Sequence, residues 1–241
     1  MVAAVRTFAT FAGLSAYLLI VGLPTLLWTI VSRDARVLYR VGGLGVRLGF
    51  ALCGIRVNVV GAEHIQTGRA AVYAANHASN LEPPAVFFAL RSLFPHIAVV
   101  YKAELRKVPI LVWVFDAAGF VPLERANRGQ SLPAVDAASK ALTAGRSFVV
   151  FPEGTRSRTG ELLPFKKGGF IMAIQAQVPI VPVAVSGASA AMRRGSMVIQ
   201  AATLQVEFAP PVQTAGLDFA DRASVVAAVR EAIAVRLPQS G

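Results

Sequence analysis

Asn76-His77 is followed, five positions after the histidine, by a carboxylate, Glu82, with Pro83 and Pro84 directly behind it. Imidazole and carboxylate at this spacing suit proton transfer. A tight turn can bring the carboxylate back to one ring nitrogen, fixing the tautomer and leaving the other nitrogen outward as a base. The alternative is a polar turn whose histidine only caps the next element. The flanking sequence gives the pair a position. Residues 70–75 form an apolar run that reads as a buried strand, and 85–90 have helical character. His77 therefore falls where a strand gives way to a helix, outside the carboxyl end of a strand, where α/β sheets place reactive groups. Pro83 and Pro84 suit the first helical turn, whose N–H groups lack intrahelical partners anyway.

Three more stretches carry groups suited to chemistry or to shaping a site. Gly119-Phe120-Val121-Pro122-Leu123-Glu124-Arg125 is a short apolar run ending in an acid–arginine pair, and Phe151-Pro152-Glu153-Gly154-Thr155-Arg156-Ser157 follows a second buried run. Val178-Pro179-Ile180-Val181-Pro182-Val183 is apolar throughout. The four stretches, in this order, resemble the motifs of the glycerolipid acyltransferase family, the lysophosphatidate acyltransferases. The family's first motif is usually Asn-His-x-x-x-x-Asp, and Glu82 stands here in the Asp place. The resemblance covers roughly residues 57–211.

That resemblance implies an α/β fold with a mixed, largely parallel sheet flanked by helices, preceded by an N-terminal hydrophobic membrane anchor. It also implies transfer of a fatty acyl group from acyl-ACP or acyl-CoA to the free hydroxyl of 1-acyl-glycerol-3-phosphate, giving phosphatidate without a cofactor. Such a transfer needs a base for the hydroxyl, stabilisation of an oxyanion, and both substrates held in line. His77 supplies the base and Glu82 orients it. The chain offers no nucleophile of its own for an acyl-enzyme. Gly187-Ala188-Ser189-Ala190-Ala191 lacks the last glycine of Gly-x-Ser-x-Gly, and Cys53 lies before the first strand. Direct attack of the acceptor hydroxyl on the thioester fits, as the resemblance also implies.

A phosphate on the acceptor calls for cations. Arginine's planar fork suits it, so Arg125 and Arg156 lead, with Lys102 at a strand end and Lys166 and Lys167 as added point charges. Glu153 suits either a glycerol hydroxyl or a brace for Arg156, and Gly154 permits an unusual turn and close approach to a substrate. By the resemblance, Glu153, Gly154, Thr155 and Arg156 belong to acceptor binding, and Arg125 with them. Outside a motif each arginine reads as a surface ion pair. The fourth stretch reads as a wall shaped by Pro179 and Pro182, with no chemical role.

Composition narrows the partners. The chain is 55% hydrophobic, with mean hydropathy +0.57 and formal net charge +11 from 24 Lys+Arg against 13 Asp+Glu. Nucleic acid is a poor partner, because no basic helix, zinc spacing or aromatic-basic RNA motif is present. Basic residues instead flank apolar runs, which points to lipid headgroups. Cys53 alone makes no disulfide framework, and the scattered His64, His77 and His96 show no metal-ligand spacing.

Residues 7–32 carry no charge, long enough for a helix across the ~30 Å hydrocarbon core of a bilayer. The run is too long, and its basic lead-in of Arg6 too thin, for a signal peptide. Pro24 is expected to break or kink the helix. Residues 34–50 set Arg36, Arg40 and Arg47 among apolar residues at near-helical spacing, as in a helix lying in the membrane interface. The opposing reading is a pair of buried core helices. The reading is an anchor over 1–54 and a catalytic domain over 55–241. Arg33, Arg36 and Arg40 after the apolar run favour the cytoplasmic face of the cell membrane. The anchor is either a single span or, as the resemblance implies, a two-helix anchor in one leaflet with the catalytic domain on the cytoplasmic surface. Within 55–241, strands are predicted at 55–60, 70–75, 97–101, 120–123, 147–151, 180–185 and 198–208, and helices at 85–92, 110–118, 131–144, 168–175 and 223–236. The alternation predicts an α/β sheet with helices on its faces. Pro182 places its strand at an edge or bend. Two other functions remain open at this point: the same chemistry on another lysophospholipid or an acylated amino-acid lipid, and a non-catalytic lipid-binding protein.

Overall fold

Val72–Ala75 is buried on both faces, as only a strand with layers packed above and below can be. The computed structural model, which describes residues 2–123, 128–193 and 195–238, shows how. Among those residues the strands are β1 (Ile55–Val60), β2 (Val72–Ala75), β3 (Ile97–Lys102), β4 (Val121–Leu123), β5 (Ser147–Val150), β6 (Ile180–Ser186) and β7 (Ala202–Phe208). They form one sheet in the order β1-β7-β6-β2-β5-β3-β4. Every neighbouring pair is parallel except β6–β7. The mixed, largely parallel sheet expected from the sequence is therefore present.

The helices are α1 (Val2–Tyr17), α2 (Leu23–Ser32), α3 (Arg36–Cys53), α4 (Glu82–Ala89), α5 (Pro109–Ala118), α6 (Arg128–Thr143), α7 (Gly168–Ala176), α8 (Ala188–Ala191) and α9 (Arg222–Ala234). They cover the sheet unequally. Tyr73 and Ala75 of β2 face a core shared with α3, α4 and α8, whereas Val72 and Ala74 face α6, α7 and α9. Alternate residues of one short strand thus feed two cores, as the two-residue period of a strand requires. On α9 the buried residues Val225, Val229 and Ile233 recur every fourth position, one stripe of a helix.

Of the edge and the bend expected at Pro182, the structure has the bend. The strand is interior, lying between β7 and β2. Pro182 pairs in register with Ala74 of β2, and its carbonyl accepts the Ala209 amide at 2.9 Å. The missing N–H points to the β7 side, where the ladder is broken. Regular pairing ends at Val183–Phe208 and resumes only at the isolated bridge Ile180–Val212. Two residues there face three, a bulge, which is where a proline can sit inside a sheet.

Pro24 does not end its helix. Val2–Ser32 is helical throughout, but Leu18–Gly22 widens into a π turn in which the Leu23 amide reaches back to the Leu18 carbonyl. The irregularity sits in the turn directly before the proline, as helices accommodate a missing donor. Arg33, with φ 56°, ends the run, and α3 returns antiparallel to α1. Thr10 meets Cys53 at 3.3 Å, and the Tyr17 hydroxyl donates to the Val41 carbonyl at 2.8 Å. Small residues permit the close approach, since Gly45 and Gly49 lie under Tyr17 and Leu14. Arg36, Arg40 and Arg47 stay on the exposed side of α3. Its buried side places Tyr39, Phe50 and Cys53 in the core of the sheet. The Tyr39 hydroxyl donates to the carbonyls of Ile97 and Ala118, and burial pushes its pKa up to about 12. Helix α1 is tied down as well, through the Ile199 amide on the Thr7 hydroxyl at 2.9 Å.

Candidate active site

β2 ends at Ala75, and the chain turns through 76–81 into α4. Asn76 fixes the start of that turn. Its side-chain amide donates to the Val185 carbonyl at 3.0 Å, and its side-chain carbonyl accepts the Val185 amide at 2.7 Å. Ser79 fixes the middle, with its hydroxyl donating to the Met192 carbonyl at 2.9 Å. Glu82, at the start of α4, closes it. Its Oε2 lies 3.0 Å from His77 Nδ1 and accepts the Ala78 amide at 2.7 Å. A carboxylate suits the N-terminus of a helix electrostatically. Glu82 is 1% exposed and the His77 side chain 18%. His77 Nε2 makes no hydrogen bond among the described residues, and the imidazole lies against the Phe151 ring, centroids 4.7 Å apart.

The loop after β5 grips the same histidine by its main chain. Glu153 Oε1 accepts the His77 amide at 2.6 Å, and the Ser157 amide donates to the His77 carbonyl at 2.7 Å. Glu153 Oε2 takes the Leu163 amide at 3.0 Å. Glu153 is 3% exposed, and burial, joined by the nearby charge of Glu82, pushes its carboxyl above the usual range. The amides of Leu163 and His77, and the His77 ring, oppose that shift. Gly154 follows with φ +70°, and a Cβ there would stand 2.8 Å from the Lys166 side chain. The left-handed backbone is what favours glycine here, since the far end of the flexible Lys166 side chain can swing aside.

The sequence-predicted residues divide by position. His77, Glu82, Glu153 and Gly154 form one connected turn-and-loop, with Thr155 exposed and Arg156 half-buried on the same loop. Lys102 ends β3, two strands from β2 and so roughly 10 Å across the sheet. There it pairs with Glu104 at 3.1 Å, exposed. Arg125 lies outside the described residues. Nothing in the sequence by itself points to a role for Asn76, Ser79, Phe151 or Ser157, although all four stand inside the motifs. That nearness was their one signal. The site also borders an apolar cavity of about 80 Å³ lined by Val150, Phe151, Pro152, Gly154, Gly169 and Met172, among others.

A buried carboxylate 3.0 Å from a partly exposed imidazole, at the carboxyl end of a parallel strand, is an arrangement suited to general-base chemistry. Residues 56–186 match the family model described as Acyltransferase. A 1-acyl-sn-glycerol-3-phosphate acyltransferase of Limnanthes douglasii is 33% identical over 175 residues, covering 72% of this chain and 59% of its own length. The alpha form from Homo sapiens is 34% identical over 171 residues, covering 69% and 58%, and the Saccharomyces cerevisiae enzyme is 37% identical over 172 residues, covering 69% and 54%. The crystal structure of the 1-acyl-sn-glycerophosphate (LPA) acyltransferase PlsC from Thermotoga maritima superposes with a TM-score of 0.81 at 26% identity, covering 97% of this chain and 93% of that one. The chain belongs to the acyltransferase family. Its matches span less than two thirds of the length of the plant, human and yeast relatives.

Proposed function

We propose that this chain is a 1-acylglycerol-3-phosphate O-acyltransferase, joining a fatty acyl group from acyl-CoA or acyl-ACP to the free hydroxyl of lysophosphatidate. The observation that carries the proposal is the 3.0 Å contact between Glu82 and His77 Nδ1. With Nδ1 held as the donor, Nε2 is the basic nitrogen. The acceptor hydroxyl gives its proton to Nε2 as its oxygen attacks the thioester carbonyl. Collapse of the tetrahedral adduct expels the thiolate, which takes the proton back from the imidazolium. Glu82 stabilises that imidazolium, and no acyl-enzyme forms.

Arg156 holds the phosphate of the acceptor in this reading, with Arg125 and Lys102 adding charge and Thr155 a hydroxyl beside it. Glu153 acts through the main chain of His77 as a positioning residue, and Gly154 lets the loop pass beneath the substrate. The apolar cavity beside Phe151 suits the start of a hydrocarbon tail. The long apolar helix of α1 and α2, with basic α3 beside it, attaches the chain to the membrane, and the catalytic domain lies at the cytoplasmic face. This helix meets the length and composition of a span, and little of it is buried in the protein.

Purified protein incubated with a panel of lysolipids and with acyl-CoA or acyl-ACP, read by mass spectrometry, tests the activity. Phosphatidate from lysophosphatidate, lost in His77→Ala, is the expected result. Acylation of a different lysolipid in preference, or no turnover with either donor, would overturn it. Intact mass of membrane-extracted protein tests the anchor, and a product lacking the first thirty or so residues would end that part.

A further inference from the structure

Helix α5 lies on the face of the sheet that carries α3 and α4, with Ala118 in their core. Its other side is apolar and open. Ile110 is 58% and Trp113 52% exposed, three residues apart and so on one face, and Leu105 and Val108 are exposed just ahead of them. α2 packs alongside. A groove between the two helices is lined by Thr29, Ile30, Arg33, Trp113, Asp116 and Ala117. Across it, Leu27, Trp28 and Val31 of α2 are exposed too. The apolar surface of the N-terminal helix thus continues onto the catalytic domain.

The charges around this surface are sorted. Asp116 is held by Arg106 through contacts of 2.7 and 3.1 Å, Glu104 by Lys102 at 3.1 Å, and Asp34 by Arg36 at 3.9 Å. Among the described residues each nearby acid is matched, and the exposed Arg33 and Lys107 add positive charge. An apolar stripe bearing a tryptophan and bordered by cations suits the boundary between acyl chains and anionic headgroups.

Resting on the membrane attachment proposed above, we propose that α5 and the turn before it form a second membrane contact, an anionic-lipid docking face on the catalytic domain itself. The occupant is a bilayer surface, because the patch is continuous with the apolar helix and carries the complementary charge. The placement has a use. β2, β5 and β3 are parallel, so the chain leaves β3 toward α5 at the same edge where it leaves β2 toward His77. Seating the start of α5 in the headgroups holds that edge at the lipid surface.

The chain has two tryptophans, Trp28 and Trp113, so each single replacement leaves one reporter. Full-length Trp28→Phe and Trp113→Phe proteins are reconstituted into phosphatidylglycerol–phosphatidylcholine vesicles with and without brominated acyl chains. In Trp28→Phe, Trp113 emission should shift to the blue and be quenched by the bromines. Adding Val108→Ser and Ile110→Ser should remove most of that quenching, and vesicles of phosphatidylcholine alone should give less. Quenching of Trp28 without quenching of Trp113 would overturn the α5 contact and leave the N-terminal anchor standing. Quenching of neither would overturn both. A concentration-dependent blue shift of Trp113 without lipid would assign the patch to a second copy of the chain, and equal quenching in neutral vesicles would remove the role of Arg33 and Lys107.

Discussion

The main-chain amide of His77 donates to the Glu153 carboxylate at 2.6 Å, across 76 residues of sequence. Glu82 meets the ring of the histidine while Glu153 holds its backbone amide, so two buried carboxylates hold one imidazole-bearing residue from opposite ends. The division of labour makes their substitutions distinguishable.

Replacing Glu82 should act on chemistry. His77→Ala is expected to abolish turnover with lysophosphatidate binding retained. Glu82→Gln should fall by ~10⁴-fold in kcat, the order seen when a triad carboxylate becomes an amide. Glu82→Asp draws the carboxylate back by about 1.5 Å, breaking contacts of 3.0 Å to His77 and 2.7 Å to Ala78 unless the turn follows. Steady-state kinetics on folded protein decides; near-wild-type kcat in Glu82→Gln would remove the dyad.

Replacing Glu153 should act on both fold and pH response. Glu153→Ala leaves the amides of His77 and Leu163 without their acceptor, at a cost of about 1–3 kcal/mol for each buried group, with kcat falling and the KM for lysophosphatidate little changed. A folded-state pKa above the unfolded value means that the folded protein binds the proton more tightly. The contribution of Glu153 to stability is therefore greatest below the ordinary carboxylate range and declines as pH rises toward its raised value. Glu153→Gln should lack that decline in a series of thermal melts across this window.

Arg156 is expected to read out in binding. Arg156→Ala should raise the KM for lysophosphatidate roughly ten- to a hundredfold, with the acyl-donor KM nearly unchanged, and Arg156→Lys should recover only part. A wild-type KM for the acceptor in Arg156→Ala would remove the residue from the phosphate site.

Gly154→Ala combines a left-handed backbone with a Cβ 2.8 Å from Lys166. The backbone alone should cost about 1–2 kcal/mol, and because the loop holds His77, kcat should fall along with the melting temperature. Lys166→Ala in the same protein would relieve the clash and leave the backbone cost, separating the two.

Truncation gives a fifth test. A chain starting at residue 55 lacks Tyr39, Phe50 and Cys53, which are 2%, 8% and 2% exposed in the sheet's core. Each large apolar side chain removed forfeits about 1.5–3 kcal/mol of burial. Such a chain is expected to aggregate or to lose its cooperative melt, rather than to yield a soluble catalytic domain.

Much of this architecture is written locally in the chain. The alternation of apolar runs with helical periods marks the strands, and β1 falls on the predicted residues 55–60. The His77–Glu82 spacing is legible because the whole turn lies within a few residues. Pro182 marks an irregularity without saying which kind, because the lack of one N–H matters only on the side where a neighbour needs it. The bulge is set by residues 208–212, at and beyond the end of β7. Glu153 was hard to read for a related reason. A carboxylate after a buried strand looks the same whether it faces a substrate or the amide of a distant turn. Asn76 carries the same ambiguity, since its partner Val185 lies 109 residues away.

The hydrogen bonds that lace the turn to its neighbours also dictate how it opens. The amides of His77, Ser157 and Val185 each donate to a group on a different segment. No one of them can meet solvent while the segments stay together. Under hydrogen–deuterium exchange these three protons should therefore be released in a single event, with one shared protection factor, while amides of the exposed loop residues 158–161 exchange early. His77 and its supporting loop are thus expected to open as one cooperative unit, in time as well as in space.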